Sequence, residues 1–139
     1  MNLSKRYSDR GREDELREIL AQRLLVLDGA MGTAIQAQNL AAADFGGAEL
    51  EGCNENLVLS RPDVIRSVHE SYLAVGADIV ETNTFGAIRH VLAEYGLQSK
   101  TREINLAAAR LARAAASKFE RPGRPRHVAG ALGPGTKTI

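Results

Sequence analysis

A chain of 139 residues, 44% hydrophobic and 25% charged, is long enough for one compact domain and too aliphatic to be disordered; with aromatics at 4% and no Trp, its core must come from Leu, Ile, Val and Ala. A formal net charge of +1 gives no field to gather nucleic acid or an anionic membrane, no apolar run approaches the roughly 20 residues of a membrane helix, and the opening MNLSKRYSDR has no secretory apolar segment. A cytoplasmic protein is expected, without nucleic-acid or membrane partners, and its one cysteine, Cys53, excludes an intrachain disulfide.

In chain order, Leu16, Ile19 and Leu20 stand at helical spacing among charges and predict an amphipathic helix over 12–23. The run 24–27 (LLVL) has no polar alternation and reads as a strand buried on both faces. Residues 33–40 suit a short helix, and AAADFGGAELEGCNEN reads as a long irregular connection. Ser60 is the expected N-cap of the next helix, with Pro62 in its first turn and Asp63 favourable to the dipole. Val64, Ile65, Val68, Tyr72 and Leu73 form its apolar stripe, which stops at Gly76.

DIVE at 78–81 predicts a second strand, 87–95 a minor helix ending at Gly96, and 101–119 a long helix with Ile104, Ala107, Ala108, Leu111, Ala115 and Phe119 on one face. RPGRPR breaks it, and HVAGAL at 127–132 predicts a third strand opening into GPGTKT. Helices alternating with strands over connections of this length give an α/β class with parallel pairing. Three parallel strands leave an unpaired edge, so self-association, marginal folding or dependence on a partner is expected.

Each predicted strand ends in small, polar or acidic residues: DGAMGT, ETNTFG and GPGTKT. In parallel α/β folds ligands sit beyond the carboxyl ends of the strands, so these three loops mark one candidate rim. There Asp28 offers an acceptor for an ammonium or hydroxyl, and Gly29 and Gly32 leave room for backbone N–H groups to face a carboxylate, a pair of charges that suits an amino acid. Spacing alone reads Asp28 more readily as the cap of the following helix. The glycine spacing fits neither the dinucleotide fingerprint nor the P-loop. Glu81, closing an apolar strand beside Thr82 and Asn83, must be solvated, functional or paired with Arg89 or Lys137. Thr84 reads as a helix cap, Cys53 as a small buried residue, His69 as a surface residue and His127 as packing at a strand start. The three histidines show no zinc-site spacing with Cys53.

LVLDGAMGT, GCNENLVLSRPDVIRSVHESYLAVGADIVETNTF, INLAAARLAR and VAGALGP, in this order, resemble the homocysteine S-methyltransferase domain, and most closely the N-terminal module of the cobalamin-dependent methionine synthases. The resemblance implies an eight-stranded (β/α) TIM barrel of which this chain carries about three βα units, with 1–11 a flexible N-terminus and 12–139 a homocysteine-binding barrel domain incomplete at its C-terminus. It implies transfer of a methyl group to zinc-activated homocysteine, giving methionine, with methylcobalamin as donor in the most similar members. It places Asp28, Gly29, Ala30, Met31, Gly32, Thr33, Glu81, Thr82 and Asn83 beside homocysteine.

The family's zinc ligands are three cysteines, one on a late strand and two in a Gly-Gly-Cys-Cys motif, and neither is present in this sequence. No catalytic or metal-ligating residue is therefore assigned, and the chain is expected to be inactive alone. Competing expectations are a non-catalytic amino-acid-binding or structural module, half of a split barrel completed by a partner chain or domain, and an unrelated α/β phosphate binder.

Overall fold

A computed structural model describes residues 10–135. The predicted flexible N-terminus lies outside the described residues up to residue 9, as does the end of the last loop, with Lys137. In chain order the helices and strands are α1 (Arg10–Gln22), α2 (Met31–Gln36), α3 (Ala42–Phe45), α4 (Leu57–Ser60), α5 (Pro62–Ala74), β1 (Ile79–Glu81), α6 (Arg89–Leu92), α7 (Thr101–Lys118) and β2 (His127–Ala129). Short 3-10 turns separate several of them, including Asn54–Asn56 ahead of α4. The class is α/β, as the alternation predicts.

The sheet has two strands. β1 and β2 pair in parallel, Ile79 with His127, Val80 with Val128 and Glu81 with Ala129. The expected first strand is reduced to a single parallel bridge between Leu27 and Ile79. The expected double-sided burial is also overturned, since Leu24 is 89% exposed and Val26 57%. The run does touch β1: the Val26 carbonyl accepts from the N–H groups of Asp78 and Ile79, and Asp28 N–H donates to the Ile79 carbonyl. Among the described residues, no strand pairs with its other edge.

The core lies where α5 and α7 cover β1. Leu73, Val80, Ala112, Ala115 and Ala116 form one buried cluster with Phe119 and Val128 against it, and Ile65, Leu57, Ile104 and Ala108 belong to a second. The buried alanines on α7 bring its backbone near the sheet, as the predicted apolar face requires, with Ala112 and Ala116 added to it. Pro62 opens α5, but its N-cap is Arg61, with no side-chain cap bond; Ser60 belongs to α4, and its hydroxyl donates to the Asn56 carbonyl. The connection expected to be irregular, 41–56, folds into α3 and two 3-10 turns, and α4 follows it directly. His69, expected at the surface, is fully buried, whereas Cys53 is buried as expected.

One polar cluster ties the sheet to the chain that precedes it. Asp78, 1% exposed, receives both Nη atoms of Arg23 at 2.8 and 2.9 Å, Nη1 of Arg126 at 3.0 Å and the Val26 N–H at 3.1 Å. These hydrogen bonds, above all those from Arg23, hold its carboxyl below the usual range.

Candidate functional site

The loop after 24–27 is shaped by Asp28. Its Oδ1 accepts the Glu81 N–H at 2.9 Å. In a continuing parallel ladder that N–H would meet the carbonyl of residue 28, so the carboxylate takes over a ladder position and frees the backbone to turn away. The next residues pass through Ala30 in the left-handed region, φ 46 and ψ 36, before α2 begins. For a non-glycine residue that conformation costs about 1–2 kcal/mol. Ala30 is the N-cap of α2 and no side chain caps it, so Asp28 does not serve as the helix cap that spacing alone favours.

The loop after β1 is laced to the loop after β2. Thr82 N–H donates to the Ala129 carbonyl at 2.9 Å. The Thr82 hydroxyl accepts from Ala131 N–H at 3.1 Å, and the Thr84 hydroxyl donates to the Ala131 carbonyl at 2.8 Å. The 2.6 Å contact between the two hydroxyls is therefore donated by Thr82. Thr84 is thus a cross-loop tie and not a helix cap. Asn83 Nδ2 donates to the Asn54 carbonyl at 2.7 Å, which brings in the connection ahead of α4.

These loops enclose a cavity of about 290 Å³, near the lower end of small-molecule pockets. Asp28, Gly29, Ala30, Met31 and Gly32 line it on one side and Glu81, Thr82 and Asn83 on another. Thr33 lies outside this lining, exposed on α2. Asn54, Glu55, Phe85 and Ala131 line it as well and were not anticipated; the only hint was a pair of polar residues just before an apolar helix. The lining holds the carboxylates of Asp28, Glu55 and Glu81 and no basic side chain. A Cβ at Gly29 or Gly32 would meet no atom within 4 Å, so both leave open space at the wall. Burial pushes the Asp28 carboxyl above its usual range. Glu81 is exposed and forms no ion pair with Arg89 or any other described residue.

A larger cavity of about 750 Å³ lies at the opposite end of the strands, between α1 and the end of α7. It is lined by Arg126 and His127, whose Nε and Nε2 atoms are buried without partners. Those two atoms are sealed from solvent, and the polar side chains that do line this cavity, among them Glu15, Glu18, Arg113, Glu120 and Arg121, come from α1, α7 and the segment before β2 and not from the loops that follow the strands. The smaller cavity gathers the strand-end loops.

A sequence profile of the homocysteine S-methyltransferase family matches residues 25–139. The chain belongs to the homocysteine S-methyltransferase family. The methionine synthases of Mycobacterium tuberculosis and Mycobacterium leprae are 45% and 46% identical to it over 125 residues, 90% of this chain. The chain spans about 10% of the length of these curated relatives. Among solved structures, the metallated form of the homocysteine methyltransferase MmuM from Escherichia coli superposes with a TM-score of 0.69 at 29% identity, covering 86% of this chain and 41% of that one. The oxidized form of the same enzyme matches at 0.69 over 85% and 40%.

The zinc and cobalamin that this family implies do not fit the residues described. No three His, Cys, Asp or Glu side chains among them gather to hold a metal ion. The single thiol, Cys53, is 0% exposed, and burial pushes its pKa up, away from the thiolate that zinc requires. A cavity of about 290 Å³ suits a small amino acid and not a corrinoid. Among the described residues, no helix is long and apolar enough to cross a membrane.

Proposed function

We propose that this chain forms the amino-acid-binding side of a homocysteine S-methyltransferase barrel of the (β/α)8 type, in which homocysteine is methylated to methionine. The observation that carries the reading is the half-buried Asp28 carboxylate at a cavity without basic side chains, with one oxygen held by Glu81 N–H. Asp28 supplies the acceptor for the homocysteine ammonium, and Glu81 adds a second negative charge beside it. Gly29 and Gly32 leave space for the amino acid to approach the backbone, while Ala30, Met31, Thr82 and Asn83 complete the wall. Thr33 lies exposed on α2, outside this wall, and takes no part in it.

With one cysteine in 139 residues, the chain cannot supply three zinc thiolates, so the metal chemistry falls to residues outside it. The isolated chain is therefore expected to bind homocysteine without methylating it, and methionine formation by the purified chain in the presence of zinc and a methyl donor would overturn that division of labour.

Asp28→Asn retains an oxygen for the Glu81 N–H and removes the charge. Because a hydrogen bond to a charged group contributes roughly 1.5–3 kcal/mol, homocysteine affinity should fall about tenfold or more by calorimetric titration at pH 7.5. Ammonium binding needs the ionised carboxylate, and burial raises the Asp28 pKa. Affinity should thus decline on acidification at a higher pH than an exposed aspartate would give. Equal affinities for the wild type and Asp28→Asn would refute this role for Asp28.

A further inference from the structure

We propose that Glu55 is a positioning residue that sets the shape of the homocysteine pocket by fixing the Phe85–Gly86 peptide; the assignment rests on the functional reading above for its ligand, though not for its geometry. That peptide unit is held at both polar ends by different parts of the chain. Its N–H, on Gly86, donates to Glu55 Oε1 at 2.9 Å. Its carbonyl, on Phe85, accepts from Gly133 N–H at 2.9 Å. One peptide group therefore locks the loop after β1 to the connection ahead of α4 on one side and to the loop after β2 on the other.

Both contacts depend on absent side chains. A Cβ on Gly86 would lie 2.7 Å from Glu55 Oε1 and 3.1 Å from its Cδ. A Cβ on Gly133 would lie 2.5 Å from the Phe85 carbonyl oxygen and under 3.0 Å from two atoms of the Phe85 ring. Positions 55 and 86 are thus sterically matched across 31 residues of sequence. The Asn83 amide, on the same loop, reaches the carbonyl of Asn54, the neighbour of Glu55, so the clamp grips the segment at two points. That segment carries Thr82, Asn83 and Phe85, all of which line the cavity. A loop fixed in this way presents its wall residues in one arrangement before a ligand arrives, which spares the ordering cost of binding.

The test compares the wild-type chain with E55A, E55Q, G86A and the double variant E55A/G86A. Homocysteine affinity is read by calorimetry and the Gly86 and Gly133 amides by hydrogen exchange without ligand, after circular dichroism confirms retained helix. E55A should weaken homocysteine binding about tenfold and speed exchange at Gly86. E55Q keeps an oxygen for the Gly86 N–H and should rescue both readouts. G86A should weaken binding alone yet add nothing to E55A, because the atom its Cβ would strike is gone. Unchanged exchange at Gly86 in E55A, E55Q as weak as E55A, or additive losses in the double variant would each overturn the proposal. A wild-type chain that binds no homocysteine would overturn the functional reading alone, because the exchange comparison still decides the role of Glu55.

Discussion

Asp78→Ala is expected to lower unfolding stability by about 3 kcal/mol and the midpoint of thermal unfolding by roughly 10 °C, a substantial part of the 5–15 kcal/mol typical of a domain. Asp78 is the only carboxylate that the described residues offer to Arg126, whose side chain is 6% exposed. Removing it leaves that guanidinium buried without a counter-charge, and the same change releases both Nη atoms of Arg23 and the Val26 N–H. Arg23, a third exposed, recovers water and contributes little to the loss, so the penalty is set mainly by Arg126. The double variant Asp78→Ala/Arg126→Met should regain much of the lost stability because it removes the stranded charge. Chemical denaturation of the three chains at pH 7 checks both expectations. A single variant as stable as the wild type, or a double variant less stable than the single one, would show that this cluster is not the anchor of the sheet.

The cluster matters to function through its position. Asp78 sits immediately before β1 and Arg126 immediately before β2, so their bond fixes the two strand starts at one level. Arg23 and the Val26 N–H bring the chain leading to Asp28 into the same register. Asp28 then meets Glu81 at the other end, where the cavity opens. Registration at the base of the sheet and alignment of the loops at its rim are the two ends of one arrangement.

Much of this was legible in the sequence, and the exceptions have physical causes. α5 and α7 were legible because a helix writes its buried face at a period that local sequence carries, with Pro62 and Gly76 marking the limits of the first. β1 followed because an apolar run directly after a helix stop has few alternatives. The run 24–27 misled because its composition reports the burial it is suited to, not which neighbours cover it; among the described residues only β1 pairs with it. The loops at the strand ends could be located as a group, since each abandons apolar residues at once. Glu55 and Gly86 could not be paired in advance, because their fit appears only when residues far apart in sequence come together. Asp28 combined both kinds of information: its place at a strand end was visible, whereas its capture of the Glu81 N–H required the register of the two segments.

His69 shows residue type prevailing wrongly over spacing. It lies four residues after Ile65 and one after Val68, on the stripe that α5 buries, and it is 0% exposed with no hydrogen-bond partner at either ring nitrogen. Burial pushes its pKa down from 6.5 to about 4. In the unfolded chain the ring takes up a proton near pH 6.5, whereas in the folded chain it stays neutral until about pH 4. Between those values the unfolded state binds more protons, so stability must fall as pH falls. The contribution is fully present above pH 6.5, declines through the window and levels off below about pH 4. Its full size is about 3 kcal/mol, from roughly 1.4 kcal/mol per pKa unit. His69→Leu removes the titration and the two unpaired nitrogens while keeping an apolar side chain of similar bulk. Urea unfolding at pH 7, 5.5 and 4.5 should show wild-type stability dropping across the series and the variant declining by markedly less. Parallel declines in the two chains would mean that some other group governs the acid sensitivity. Paired carboxylates such as Asp78, whose pKa is lowered, begin to lose their contribution as pH falls toward the ordinary carboxylate value, so their loss falls at the acid end of the series and is shared by both chains, and the difference between wild type and His69→Leu is what reports His69.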